Sequence, residues 1–230
     1  MIITIDGPAG TGKSTVARKV AERLSFDFLD TGAMYRAVAL EVLRRKTDLH
    51  DARELGFVAK HCRISFDWTK RPPLMLLNGE PVSHLLRGSE VTSAASHVAA
   101  VPSVRQMLVE EQQRIGADHG NLVTEGRDQG TVVFPDAALK FYLDATPAER
   151  ARRRVAQLRA RGELPNSEEV LREIIERDQR DSTRAVGPLT VPPGAEVIDT
   201  TDLTEDQVVD RIVDRAKSRL AAEPMGGLAV

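Results

Sequence analysis

The chain has 230 residues, 41% hydrophobic and 29% charged, the proportions of a globular protein able to bury one ordinary core. Its 32 lysines and arginines nearly cancel 34 acids, for a net charge of −2, which argues against non-specific nucleic-acid or membrane binding as its main activity. The single cysteine, Cys62, excludes an intrachain disulfide and a cysteine zinc cluster and reads as a small apolar core residue.

Ile2, Ile3 and Ile5 form a β-branched run ending at Asp6, the pattern of a buried parallel strand. No basic leader precedes it, and no apolar stretch of about 18 residues follows anywhere, so a cytoplasmic protein without a membrane span is expected. The turn Gly7-Pro8-Ala9-Gly10-Thr11-Gly12 comes next. From Lys13 the apolar positions Val16, Ala17, Val20, Ala21 and Leu24 take up a helical period. Phe26–Asp30 reads as a second strand, Thr31-Gly32 as a turn, and about Ala33 to Lys46 as a helix. Between about His61 and Val82 the pattern becomes β-like: Ile64, Phe66 and Trp68 alternate, Leu74–Leu77 forms a second run, and Asn78-Gly79 signals a hairpin. This segment reads as an insertion beside the main sheet.

Helices are predicted from about Ser89 to Ala99 and from Pro102, suited to a first helical turn, to Ile115. Leu122–Thr124 and Leu139–Leu143 are two further core strands. Pro147 opens an arginine-rich helix, broken by Gly162 and Pro165-Asn166, and a polar helix runs from about Ser167 to Thr183. Glu196–Asp199 supplies a last strand and Glu205–Ala221 a last helix, before a tail through Gly226-Gly227 that is expected to be disordered. Strands alternating with helices predict an α/β fold, a parallel sheet flanked by helices on both faces.

Gly7, four residues, and Gly12-Lys13-Ser14 match the phosphate-loop pattern, placed as the pattern requires between an apolar strand and an amphipathic helix. The glycines let successive N–H groups curl toward phosphate oxygens, and the following helix adds its positive end. Lys13 can reach the β- and γ-phosphates, and the Ser14 hydroxyl suits Mg²⁺. A nucleoside triphosphate is therefore expected along Gly7 to Ser14, with Thr15 adjoining.

No Asn-Lys-x-Asp segment for guanine occurs, and the chain is short for a motor or transporter ATPase. Small-molecule kinases remain, and these need a second anion site opposite the loop. Three arginine-bearing segments can build it: Asp30-Thr31-Gly32-Ala33-Met34-Tyr35-Arg36 and Glu125-Gly126-Arg127-Asp128-Gln129-Gly130, both at strand ends where ligands of open α/β sheets sit, and the run from Arg177 through Asp181 to Arg184. The last three residues share a face if the helix continues that far.

These segments, with GPAGTGKST, SEVTSAASHVAAVPSVR, EGRDQGTVVFPDA and ERDQRDSTRAVGPL, resemble bacterial cytidylate kinases from Met1 to about Ala221. The resemblance implies a nucleoside monophosphate kinase: core segments 1–60, 96–147 and 166–221, a nucleotide-binding insertion at 61–95 and a short mobile lid at 148–165. It places Lys13, Arg36 and Arg127 at the transferring phosphates, the last two on the acceptor phosphate. Thr31, Arg105, Asp128 and Arg184 would surround the cytosine, with Gly126 beside them, and Tyr35, Arg177 and Asp181 the sugar. ATP, CMP and dCMP would be the partners, Mg²⁺ the cofactor, and a monomer the state. Gln129 departs from the family, where an aliphatic residue is usual, and Thr31 stands where a serine is common.

The run Arg150, Arg152, Arg153, Arg154, Arg159 and Arg161 lacks interleaved aromatics, against a nucleic-acid patch. By the resemblance it is the lid, with Arg150 and Arg154 expected near the donor phosphates. No catalytic base is needed, because the acceptor phosphate, with a second pKa near ~6, is already anionic. His50, His61, His84, His97 and His119 are read as structural or surface residues. Two rivals stay open: a kinase of UMP, AMP or a metabolite such as shikimate, and a nucleotide-dependent binding module that transfers nothing.

Overall fold

A computed structural model describes residues 1–222; the Gly226-Gly227 tail lies outside them. Five strands, β1 (Ile2–Asp6), β2 (Asp27–Asp30), β6 (Leu122–Glu125), β7 (Leu139–Asp144) and β8 (Glu196–Asp199), form one sheet in the order β2-β6-β1-β7-β8. Every neighbouring pair is parallel, so all strands end on the same edge. The β-branched runs are buried on both faces, as helices cover both.

On one face α1 (Lys13–Leu24) and α8 (Glu205–Ala222) close over the sheet through Val16, Val20, Val209 and Ile212. On the other lie α2 (Thr31–Arg44), α3 (Ala52–Lys60), α4 (Ser89–Val98) and α5 (Pro102–Asp118), packed through Met34, Val38, Leu55, Val98 and Leu108. The sequence reading starts α2 after a Thr31-Gly32 turn; the helix instead begins at Thr31, because the Asp30 carboxylate accepts the Ala33 N–H and caps it. α3 is absent from the sequence reading. Asp51 caps it by accepting the Arg53 and Glu54 N–H groups.

The insertion is a three-stranded antiparallel sheet of β3 (Ile64–Asp67), β4 (Leu74–Leu77) and β5 (Glu80–Pro81). Its hairpin turns at Asn78 and Gly79, φ 53° and 87°, the signs a tight two-residue turn needs. Trp68 stacks on His119 at 4.0 Å between ring centroids, and His119 Nδ1 lies 2.7 Å from Asp27, tying the insertion to the core. Cys62 sits at the edge of the core, half-buried rather than enclosed, and burial pushes its thiol up to about 11.

α6 (Pro147–Arg159) and α7 (Ser167–Thr183) form a hairpin with its own apolar cluster of Ala151, Val155, Leu158, Val170 and Ile174. After β6 the chain makes a single π-helical turn, Gln129–Val133, which no local pattern announces.

Candidate active site

The site lies at the carboxyl edge of β1, β6 and β2, in a cavity of about 260 Å³. The loop after β1 forms one end. At Gly7 an added Cβ would stand 2.0 Å from the Leu143 carbonyl oxygen, and Gly12 has φ 87°, so neither position tolerates a side chain without strain. Ala9, Gly10, Gly12, Lys13, Ser14 and Thr15 line the cavity; Gly7, Pro8 and Thr11 shape the loop from behind.

Lys13 is 5% exposed and its Nζ donates to the Pro8 carbonyl at 2.6 Å and to Thr11 Oγ1 at 3.4 Å. Burial first, then the Arg127 charge, lowers its pKa to about 7. The Ser14 hydroxyl donates to Glu125 Oε1 at 2.6 Å. Glu125 is buried at the end of β6, and desolvation followed by the nearby Asp30 charge raises its pKa.

All ten residues expected around the acceptor line the same cavity: Thr31, Tyr35, Arg36, Arg105, Gly126, Arg127, Asp128, Arg177, Asp181 and Arg184. The arginines are held by carboxylates. Arg36 Nη2 donates to Asp30 at 2.9 and 3.1 Å, and Arg127 Nε to Asp181 at 2.9 Å. Arg105 pairs with Asp128, with Arg184 at 3.8 Å from both Asp128 and Asp181. The Arg105 guanidinium also lies 5.4 Å from the Tyr35 ring centroid, within cation–π reach. Thr31 Oγ1 donates to the Glu125 carbonyl at 2.7 Å.

Burial opposes the charge of Asp181, yet Arg127, Arg177 and Arg184 outweigh it and hold its pKa below the ordinary carboxylate value. Burial, then Arg127, lowers Arg177 to about 10. Arg36 Nε, Arg105 Nε, Arg177 Nε and Arg184 Nη2 are buried without a hydrogen-bond partner. A native fold pairs most buried donors, so four unpaired guanidinium nitrogens on residues lining one cavity suit an anionic ligand.

The two α6 arginines expected near the donor phosphates part company. Arg154 lines the cavity, but Arg150 does not. Arg150 is 3% exposed and donates to the carbonyls of Ala145 (3.0 Å) and Ala9 (3.1 Å), with Asp178 at 2.6 Å. It braces the phosphate loop from outside. Gln129 also stays out of the cavity; it accepts from Thr124 Oγ1 at 2.8 Å and donates to Gln112 Oε1 at 3.0 Å.

Arg161, named in the arginine run, lines the cavity as well, as do Glu125, Arg87, Ser96 and Gln157, which were not assigned a site role from sequence. Glu125 had a signal, an acid ending a strand beside the phosphate loop. Ser96 lay unremarked within the matched segment Ser89–Arg105, and Arg87 had no signal.

A phosphate loop facing a cluster of arginines across one cavity, on a parallel sheet in this order, defines a P-loop kinase of the nucleoside monophosphate type. The family model described as cytidylate kinase matches residues 3–218. A cytidylate kinase of Caldanaerobacter subterraneus subsp. tengcongensis is 48% identical over 221 residues, covering 96% of each chain, and one of Mycobacterium avium is 46% identical over 219 residues, covering 95% of this chain and 96% of that one. This chain belongs to the cytidylate kinase family. A crystal structure of an uncharacterized protein from Eubacterium ventriosum shares the fold, with a TM-score of 0.54 at 13% identity over 95% of this chain and 98% of that one.

Proposed function

We infer that this chain transfers the terminal phosphoryl group of ATP to CMP or dCMP, giving ADP and CDP or dCDP. Family membership supports the reaction, and one observation carries the assignment of the site: the buried Arg105–Asp128–Arg184 group, beside spare arginine donors, opposite Lys13.

The acceptor half works by charge and shape. Arg36 and Arg127 are placed to take the CMP phosphate, with planar forks that stay charged. Asp128 offers a carboxylate oxygen to the cytosine amino group, and uracil presents a carbonyl there instead, which favours CMP over UMP. Thr31, Ser96 and Tyr35 complete the base and sugar walls. Arg177 and Asp181, a turn apart on α7, face the ribose.

On the donor side Lys13 is desolvated before any phosphate arrives. The β- and γ-phosphates would supply the negative charge that its burial withholds, and the loop amides would take the remaining oxygens. Arg154 and Arg161 approach from the hairpin, which acts as a lid. Closing it excludes water, the competing acceptor.

Mg²⁺ fits the donors present. A hydroxyl (Ser14) and a carboxylate (Glu125) touch each other at the loop's end, and no group of three or more acidic, histidine or cysteine side chains gathers among the described residues to hold a metal by itself. This ion binds through one or two protein oxygens plus phosphates and water. When bound it would neutralise charge on the transferring group.

No helix among the described residues is long and apolar enough to cross a membrane. Family membership supports the finer reading of a cytoplasmic monomer.

The test is a panel: ATP with CMP, dCMP, UMP, AMP and GMP, following ADP release. CMP and dCMP should turn over well above the rest; turnover of none would favour a binding module. Within the site, Lys13→Ala should abolish turnover in a folded protein. Arg127→Ala should raise the KM for CMP far more than that for ATP, and equal losses would remove Arg127 from the acceptor.

A further inference from the structure

Asp6 ends β1 and immediately precedes the phosphate loop, and its side chain is fully buried. Its two carboxylate oxygens point to neither substrate. Oδ1 accepts the Gln129 N–H at 2.8 Å and Oδ2 the Gly130 N–H at 2.7 Å. Those two residues directly follow Arg127 and Asp128, and they open the π-helical turn Gln129–Val133, where backbone donors lack partners within the turn. A carboxylate there makes two charge-assisted bonds at the positive end of the turn.

The strand ladder cannot do this work. The β1–β6 register ends at Ile5 and Glu125, and the last backbone bond beyond it is Gly126 N–H to the Ile5 carbonyl at 3.1 Å. Past Gly126, Asp6 is what joins the acceptor segment to the strand that carries the donor loop. The Gln129 side chain adds a second fastening, to Thr124 on β6 and Gln112 on α5. Lys13 and Asp128 are the charged groups facing the Asp6 carboxyl.

We propose that Asp6 is a positioning residue for phosphoryl transfer: by gripping the two amides after Arg127-Asp128, it sets the acceptor segment at a fixed distance from the phosphate loop. In-line transfer demands that the acceptor oxygen and the γ-phosphorus meet in alignment, and a displacement of about 1 Å can lower a rate by about a hundredfold. The inference rests on the acceptor roles given to Arg127 and Asp128. It assigns Asp6 no contact with either nucleotide.

Asp6→Asn keeps the shape but has one accepting oxygen, so one of the two amides loses its partner. Affinities for CMP and for ATP, each measured alone by calorimetry, should stay within about threefold, whereas kcat falls by about ten- to a hundredfold. Val209→Ala, which trims the core at α8 away from the site, provides a control with lowered stability and an unchanged kcat. A kcat for Asp6→Asn within twofold of wild type would overturn the proposal. So would a drop matched by the Val209→Ala control at equal loss of Tm, or a kcat loss accompanied by an equal loss of CMP affinity. Should Asp6→Asn fail to fold, amide exchange on the wild-type protein decides: protected Gln129 and Gly130 amides support the grip, and exchange as fast as in an exposed loop refutes it. Wild type inactive on CMP in the same assay would instead refute the substrate reading.

Discussion

Asp128→Ala separates recognition of the base from the rest of the enzyme. Arg105 and Asp128 pair with side chains only 2% and 5% exposed, and Arg184 stands 3.8 Å away. Removing the carboxylate strands the Arg105 charge, whose Nε already lacks a hydrogen-bond partner. Breaking a buried pair in this way costs about 3–5 kcal/mol, and in a chain of this size each kcal/mol shifts Tm by about 2–4 °C. A fall of roughly 6–20 °C is therefore expected. On the ligand side, the charged hydrogen bond proposed between Asp128 and the cytosine amino group would be worth about 1.5–3 kcal/mol, or roughly 10- to 150-fold in CMP affinity. ATP affinity should hold, because Asp128 makes no hydrogen bond or ion pair to a phosphate-loop residue. Thermal melts with and without saturating CMP, and calorimetric titration of each nucleotide, read all three quantities. A variant that melts within 2 °C of wild type and keeps its CMP-over-UMP preference would refute both the buried-pair account and the role of Asp128.

The arginines of α6 should separate into two kinds. Arg150→Ala leaves Asp178 and the Ala9 carbonyl without their partner and should lower Tm, by the same buried-pair argument. Arg154→Ala should leave Tm nearly unchanged and raise the KM for ATP; the reverse order in paired melts and kinetics would overturn the assignment. Asp6 makes a prediction in pH. Burial, only partly offset by the Gly130 and Gln129 amides, raises its pKa from 3.8 to about 6. The folded state therefore holds more protons than the unfolded state between about pH 4 and 6, and this group's contribution to stability falls as pH rises through that window. The displacement is about 2 units at ~1.4 kcal/mol each, so Asp6→Asn should gain about 3 kcal/mol relative to wild type on going from pH 4 to 7. Denaturant titrations that stay parallel at the two pH values would count against a charged, buried Asp6.

The strands and most helices were legible because buried parallel strands read as short β-branched runs and the helices carry apolar faces. That the three arginine-bearing segments meet at one cavity opposite the phosphate loop was legible because two of them stand at strand ends, where the fold gathers ligands. α3 escaped notice although Asp51 and Glu54 stand at capping-box spacing, since its stripe of three buried residues, Leu55, Val58 and Ala59, spans only nine residues. The π-helical turn had no period to detect. Arg150 shows a harder limit: in a run of arginines, the one turned inward looks like those turned outward. Only the placement of Ala9 and Asp178 tells them apart. Gln129 is the mirror case, a polar residue beside the site whose partners, Thr124 and Gln112, lie on the far side.

The α6–α7 hairpin buries Ala151, Val155, Leu158, Val170 and Ile174 among themselves, apart from both faces of the sheet. A part with its own interior opens and unfolds as a unit, at less than the free energy of the whole. Distal to Arg150 and Arg177 the hairpin is in effect a detachable cassette. Its length and tip can be exchanged without repacking the domain beneath, while Arg36 on α2 and Arg127 after β6 stay where they are.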